Sequence, residues 1–155
     1  MDRGEFTSRV LSCERKMYRT AYCMLRNAAD CQDAVQETIF SAWRNLPRLR
    51  DDEAFDAWIM QILVNTCRTL LRKRKRRGEV ELTESCPMPQ SPDIRLYDAV
   101  RDLDERLRWP VVLRYVNGYS SQEVAKILRL PYRTVLARLR QAREALKEAL
   151  REVEV

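Results

Sequence analysis

The chain has 155 residues, of which 45% are apolar and 34% charged, and its formal net charge is +6. That length holds one ordinary domain or two small ones, the apolar fraction excludes a disordered chain, and the positive balance favours a polyanionic partner. Histidine is absent and glycines number only three, so the commonest general base and zinc ligand are missing and phosphate-cradling glycine loops are scarce, which weighs against enzymatic readings.

The five cysteines, at positions 13, 23, 31, 67 and 86, form no Cys-x-x-Cys pair. Such an odd, scattered set fits reduced thiols serving as small core residues better than a disulfide framework or a metal site. The N-terminus lacks a basic-then-apolar signal pattern, and no run of about 18 apolar residues occurs. A cytoplasmic protein without membrane insertion, metal or cofactor is expected.

Phe6, Val10, Cys13, Met17, Ala21 and Met24 recur at three- and four-residue steps and predict one face of a long helix. Val35, Ile39, Ala42, Trp43 and Leu46 predict a second, which Pro47 helps to end. On its back face stand Asp33, Gln36, Glu37, Phe40 and Arg44, with Asp30 just before. Acids near a helix start are favoured by the helix dipole, which accounts for Asp30 and Asp33. Phe40 beside carboxylates fits either a protein-docking surface or packing in a second core face.

After the charged loop Arg48-Leu49-Arg50-Asp51-Asp52-Glu53, the residues Phe55, Trp58, Ile59, Ile62, Thr66 and Leu70 predict a third helix. It runs into a string with seven positive charges between Arg68 and Arg77, more than helix capping needs and suited to salt-dependent phosphate binding. Gln61, Asn65, Arg68 and Arg72 follow one another at helical spacing opposite the apolar stripe and line up with that basic end. Residues 78–93 change composition, with Pro87, Pro89, Pro92, four acids and no basic residue, and read as a linker.

From Ile94 the helical period returns through Leu96, Val100, Leu103 and Leu107, followed by a segment at 110–117. Residues 120–140 then read as two short helices joined by a tight turn, a helix-turn-helix. Ser120 and Glu123 fit a capping box at the start of the first, and Pro131 suits the first position of the second. Between Val124 and Arg143 there are six basic residues and no acid, so the second helix is the one expected to enter a DNA groove. With Val135, Leu139, Ala142 and Leu146 toward the core, Arg133, Leu136, Ala137, Arg140 and Gln141 face outward. Arg133 and Arg140 can pair bidentately with guanine, Leu136 and Ala137 can meet a thymine methyl, and Arg138 and Arg143 on the flanks suit phosphates. No strand-like alternation survives, so the expected fold is all-α with two small helical lobes, 1–77 and 94–155.

The blocks Asp30-Cys-Gln-Asp33-Ala-Val-Gln36-Glu37-Thr-Ile-Phe40-Ser-Ala-Trp43 and Phe55-Asp-Ala-Trp58-Ile, with Asn65, Arg68 and the C-terminal helix-turn-helix, resemble a bacterial extracytoplasmic-function sigma factor. The resemblance covers nearly the whole chain. It implies that the first lobe, sigma-two-like, docks on the β′ clamp helices of core RNA polymerase through Asp30, Asp33, Gln36, Glu37 and Phe40, and melts the minus-ten promoter element. The loop from Leu49 to Ala54, including Arg50, Asp51 and Asp52, would hold a flipped base. Asn65, Arg68, Arg72 and Lys73 would track the strand's backbone.

The second lobe, sigma-four-like, would meet the β flap and read the minus-thirty-five element with Tyr132, Arg133, Leu136, Ala137, Arg138, Arg140, Gln141 and Arg143. The resemblance further implies a linker that runs through the RNA-exit channel, an anti-sigma partner, and no catalytic residue. Two departures stand out. Arg129 occupies a turn position where the family usually has Gly, and the common Thr-Val-Lys-Ser-Arg is here Thr134-Val135-Leu136-Ala137-Arg138, which removes a charge and a hydroxyl from the reading face. Two other functions are compatible with parts of the chain. One is an autonomous helix-turn-helix regulator whose first lobe dimerises. The other is a nucleic-acid-processing enzyme with a metal on Asp51, Asp52, Glu53 and Asp56.

Overall fold

The first unit is delimited by side chains that satisfy backbone groups its helices leave open. At the start of α1 (Arg3–Leu25) the Asp2 carboxylate accepts the Glu5 N–H at 2.8 Å. Its end is marked by Arg26 in the left-handed region, φ 54°, whose N–H bonds the Tyr22 carbonyl. Only Arg26 and Asn27 separate it from α2 (Ala28–Asn45), so the two helices fold back on each other; the Asn27 side chain accepts the Asp30 N–H at 3.0 Å. Two 3-10 turns, Leu46–Arg48 and Asp52–Ala54, lead into α3 (Phe55–Arg77). That helix closes on Gly78, whose φ of 70° suits a residue without Cβ.

The computed structural model describes residues 1–78 and 94–153, so the linker expected at 78–93 and Cys86 lie outside the described residues apart from Gly78. Two compact units result, Met1–Glu84 and Ser85–Val155, each with its own core, and the described residues contain helices and no strand.

In the first unit α1, α2 and α3 pack pairwise around one core. All six α1 positions expected inside are buried. On α2, Val35 and Ala42 are buried together with Cys31, Ala34 and Thr38, whose hydroxyl donates to the Ala34 carbonyl at 2.7 Å. The expected α2 stripe overreaches at its end: Leu46 is half-buried and Trp43 is 45% exposed, because α2 is ending there and the ring lies against the Phe6 edge at 5.0 Å. On α3, Phe55 and Ile59 are buried as expected, but the core then follows Met60, Leu63, Val64 and Cys67. Trp58, Ile62, Thr66 and Leu70 are half-buried. The sequence offers two overlapping apolar stripes, and packing against both α1 and α2 selects the second. Phe6 also meets Phe55 edge-on at 5.8 Å, so aromatic rings join all three helices.

The second unit comprises α4 (Ile94–Arg101), α5 (Glu105–Val111), a π-helical turn Val112–Val116, α6 (Ser121–Leu128) and α7 (Tyr132–Val153). The helical period read through Leu107 is interrupted at 102–104, where the Asp104 side chain starts α5. The buried Arg108 guanidinium stabilises that break by donating to the carbonyls of Arg101 (3.2 Å) and Leu103 (3.1 Å), acceptors left without helical partners. Val100, Leu103 and Leu107 stay buried across it. The segment at 110–117 is the end of α5, with Pro110 inside the helix, and the π turn, closed by the Asn117 N–H on the Val112 carbonyl.

Candidate polymerase and nucleic-acid surfaces

Asp33, Gln36, Glu37 and Phe40 recur at three- and four-residue steps on α2, and all four are exposed, Phe40 at 70%. Its ring is therefore not packed into a second core face. It borders a shallow apolar groove lined by Arg3, Phe6, Thr7, Ile39 and Trp43. Asp30 differs from the other acids. Its carboxylate is held by the Arg74 guanidinium, which also donates from Nη1 to the Leu25 carbonyl at 2.9 Å. One side chain near the end of α3 thus ties the last turn of α1 to the first turn of α2.

The loop expected to take a base is shaped by its own hydrogen bonds. The Asp51 carboxylate accepts the Glu53 N–H at 3.0 Å, the Ala54 N–H bonds the Asp51 carbonyl, and Arg9 donates to the Asp52 carbonyl. Leu49 and Asp52 line a groove with Met1, Trp43, Arg44, Leu46 and Pro47, while Arg50 and Asp51 are exposed in the same loop. Trp43 and Arg44 were not expected in this pocket. Trp43 follows the apolar period of α2, and only the end of that helix two residues later, at Asn45, reveals its exposure. Asp51 as a cap, and Asp56 as an ion partner of Lys16 at 3.1 Å, already have structural roles. Among the described residues no three His, Cys, Asp or Glu side chains are grouped to hold a metal.

Along α3, Asn65, Arg72 and Lys73 are exposed and Arg68 is half-buried. The basic string divides: Arg74 turns inward with 15% of its side chain exposed, and Lys75, Arg76 and Arg77 face solvent. Burial pushes the Cys13 thiol up to about 12, with Asp56 adding to the shift and Lys16 opposing it. Burial likewise pushes Cys67 up to about 12, with Cys31 nearby. These thiols stay protonated and inert at neutral pH.

In the second unit the capping box of α6 is complete. The Ser120 hydroxyl accepts the Glu123 N–H at 3.1 Å, and the Glu123 carboxylate accepts the Ser120 N–H at 3.0 Å. Arg129 follows in the left-handed region, φ 54° and ψ 46°, and the Leu130 N–H reaches back to the Ala125 carbonyl at 3.0 Å, as in a Schellman turn. Pro131 lies one residue earlier than expected. Its carbonyl accepts the first bonds of α7, from Thr134 and Val135, so it precedes the helix, which starts at Tyr132. Val135, Leu139 and Ala142 are buried and Leu146 half-buried. Outward stand Tyr132, Arg133, Leu136, Arg140, Gln141 and Arg143, all exposed, with Ala137 and Arg138 half-buried. Such a helix can present guanidinium groups to phosphates and guanines, and apolar groups to thymines.

Comparison with known proteins agrees with both units. The Sigma-70 region 2 family matches residues 10–77 and the Sigma-70 region 4 family matches residues 93–146. The chain is 27% identical to the RNA polymerase sigma-H factor of Pseudomonas aeruginosa, over 96% of this chain and 88% of that protein. It is 30% identical to the ECF RNA polymerase sigma-E factor of Escherichia coli, over 77% of this chain and 73% of the relative. Among solved structures, the sigma factor RpoE of Bartonella quintana, crystallised with the anti-sigma factor NepR, shares the fold with a TM-score of 0.81 at 24% identity, covering 95% of this chain and 97% of that one. CnrH, in complex with the cytosolic domain of CnrY, gives a TM-score of 0.72 at 25% identity, covering 97% and 90%. The chain belongs to the extracytoplasmic-function family of RNA polymerase sigma factors.

Proposed function

We propose that this chain binds core RNA polymerase in the cytoplasm and directs it to promoters, with each unit holding a different part of the promoter. In this reading residues 1–77 dock on the β′ clamp helices through Asp33, Gln36, Glu37 and Phe40, with Asp30 at the edge of the surface. The groove of Trp43, Leu49 and Asp52 receives a base of the melted minus-ten element, and Asn65, Arg68, Arg72 and Lys73 follow its strand. Extracting a base costs a few kcal/mol, roughly what a preformed pocket and a basic groove return. Residues 78–93 join this unit to residues 94–155, which meet the β flap and place α7 in the minus-thirty-five major groove. The chain supplies recognition and no catalytic residue; polymerase carries out the chemistry.

The observation that carries the docking assignment is the α2 outer face, where two carboxylates one turn apart are followed, on the same face, by a phenyl ring left in water. The ring does not stand singly, since it borders the apolar groove of Phe6, Ile39 and Trp43, and that grouping supports a docking surface. An anti-sigma partner is part of the proposal too, supported by the fold shared with the Bartonella quintana sigma factor RpoE, which was crystallised with the anti-sigma factor NepR. Asp33→Arg combined with Glu37→Arg reverses the charge of the α2 face and should abolish co-elution with core polymerase, while helical circular dichroism stays unchanged. Unaltered polymerase affinity in the folded double variant would remove the docking assignment.

A further inference from the structure

The outward face of α7 leaves two large apolar side chains in water: Tyr132 is 46% exposed and Leu136 is 41% exposed. They stand four residues apart, so they share one face, with the half-buried Ala137 next to Leu136. Around them the surface is cationic. Arg133, Arg140 and Arg143 are exposed on the helix and Arg129 is exposed in the turn before it. The core does not require Leu136, since Val135, Leu139 and Ala142 fill it from this helix. A polar residue would serve the fold equally well at such a position.

The border of arginines decides what can cover this apolar patch. A protein groove would have to match or desolvate four guanidinium groups, whereas duplex DNA sets phosphates around its major groove. Among the base edges on the floor of that groove, the only apolar group is the C5 methyl of thymine. Cytosine carries only hydrogen at that C5 position, so a leucine placed against the methyl loses its apolar contact there.

We infer that Leu136 and Ala137 form a thymine-methyl subsite, so that recognition of the minus-thirty-five element depends at one or two positions on a methyl group. The inference rests on the proposed insertion of α7 into the major groove. It assigns this chain a preference that the more polar Lys-Ser pair would not give. Replacing the thymine by deoxyuridine removes that methyl and leaves every hydrogen-bonding edge intact, so it isolates the contact.

The test uses core polymerase carrying the full chain. Duplexes randomised across the minus-thirty-five element are selected for binding, and the selected duplex is resynthesised with deoxyuridine in place of thymidine, one position at a time. The expected result is a loss of about three- to tenfold in affinity at one or two positions, absent at all others. With Leu136→Ala the same replacements should cost nothing further, and because Leu136 is exposed that variant keeps its fold. Arg143→Ala provides the control for groove insertion. If every deoxyuridine duplex binds as tightly as its parent while Arg143→Ala still weakens binding and lowers its salt dependence, the subsite is wrong and groove insertion stands. If neither deoxyuridine nor Arg143→Ala has any effect, both are overturned.

Discussion

Arg74 sits in the basic string of α3 but joins three helix ends instead of facing solvent, since it pairs with Asp30 and donates to the Leu25 carbonyl. Arg74→Ala should therefore destabilise the first unit by about 1–3 kcal/mol in urea denaturation, because a part-buried carboxylate and a carbonyl both lose their donor. Lys75→Ala, exposed, should change stability by less than about 0.5 kcal/mol. Equal effects of the two would show that the inward pairing contributes nothing. Arg129 makes the opposite case, a residue held against its preference. Its φ of 54° strains an L side chain, so Arg129→Gly should raise the melting point of the second unit, by roughly 0.5–1 kcal/mol in stability once glycine's greater unfolded-state freedom is included. A lower melting point would mean that the arginine side chain supports the turn.

The buried thiols also imply a pH dependence. Cys13 and Cys67 titrate near 12 in the folded chain against an ordinary 9.0, so above pH 9 the unfolded state releases protons that the folded state keeps. Stability from these groups is complete below pH 9 and declines between pH 9 and about 12. Urea midpoints measured across that window should fall less steeply for Cys13→Ala than for the parent chain, and identical slopes would contradict the assignment.

At the scale of elements, capping chemistry was legible in advance where it depends on short-range pairing. The Ser120–Glu123 box and the α1 stripe are cases in which local sequence leaves one solution. The α3 stripe was not, because Ile62, Thr66 and Leu70 satisfy the helical period as well as Met60, Leu63 and Cys67 do, and only contact with two other helices chooses between them. Trp43 misled for a related reason: periodicity reports which face a side chain lies on and not where the helix stops. Arg74 is invisible to sequence, since its partners lie more than 40 residues away. The exposed faces of α2 and α7, to which docking and base reading are assigned only by proposal, were legible as surfaces because residues at three- and four-residue steps share a face whatever the core does. For α7 this yields a division of roles. Arg140→Ala should cost about 1–3 kcal/mol and relax discrimination at particular bases. Arg143→Ala should weaken binding on all sequences alike and reduce the salt slope by about one unit. Binding to a panel of minus-thirty-five variants at several salt concentrations separates the two, and matching sequence profiles would mean that the reading face is misassigned.

For the whole molecule, the two units each close a core from their own helices, the first around Met17, Ile59 and Leu63 and the second around Leu113, Ile127 and Val135. Fragments 1–77 and 94–155 should therefore fold separately, with helical circular dichroism that sums to that of those residues in the full chain, although each is small and of modest stability. A fragment that is unfolded alone and recovers on addition of the other would show that the cores are interdependent. Two units with separate cores suit the proposed division of a promoter between them, and among the described residues no helix is long and apolar enough to cross a membrane. The most direct test of that account is transcription in vitro from a library of random promoters, using core polymerase with and without this chain. The account predicts transcripts that appear only with the chain present, from templates sharing two spaced elements, and that vanish with the Asp33→Arg, Glu37→Arg chain. DNA binding by the chain alone, with no promoter-dependent transcript from the reconstituted polymerase, would contradict it and favour an autonomous regulator.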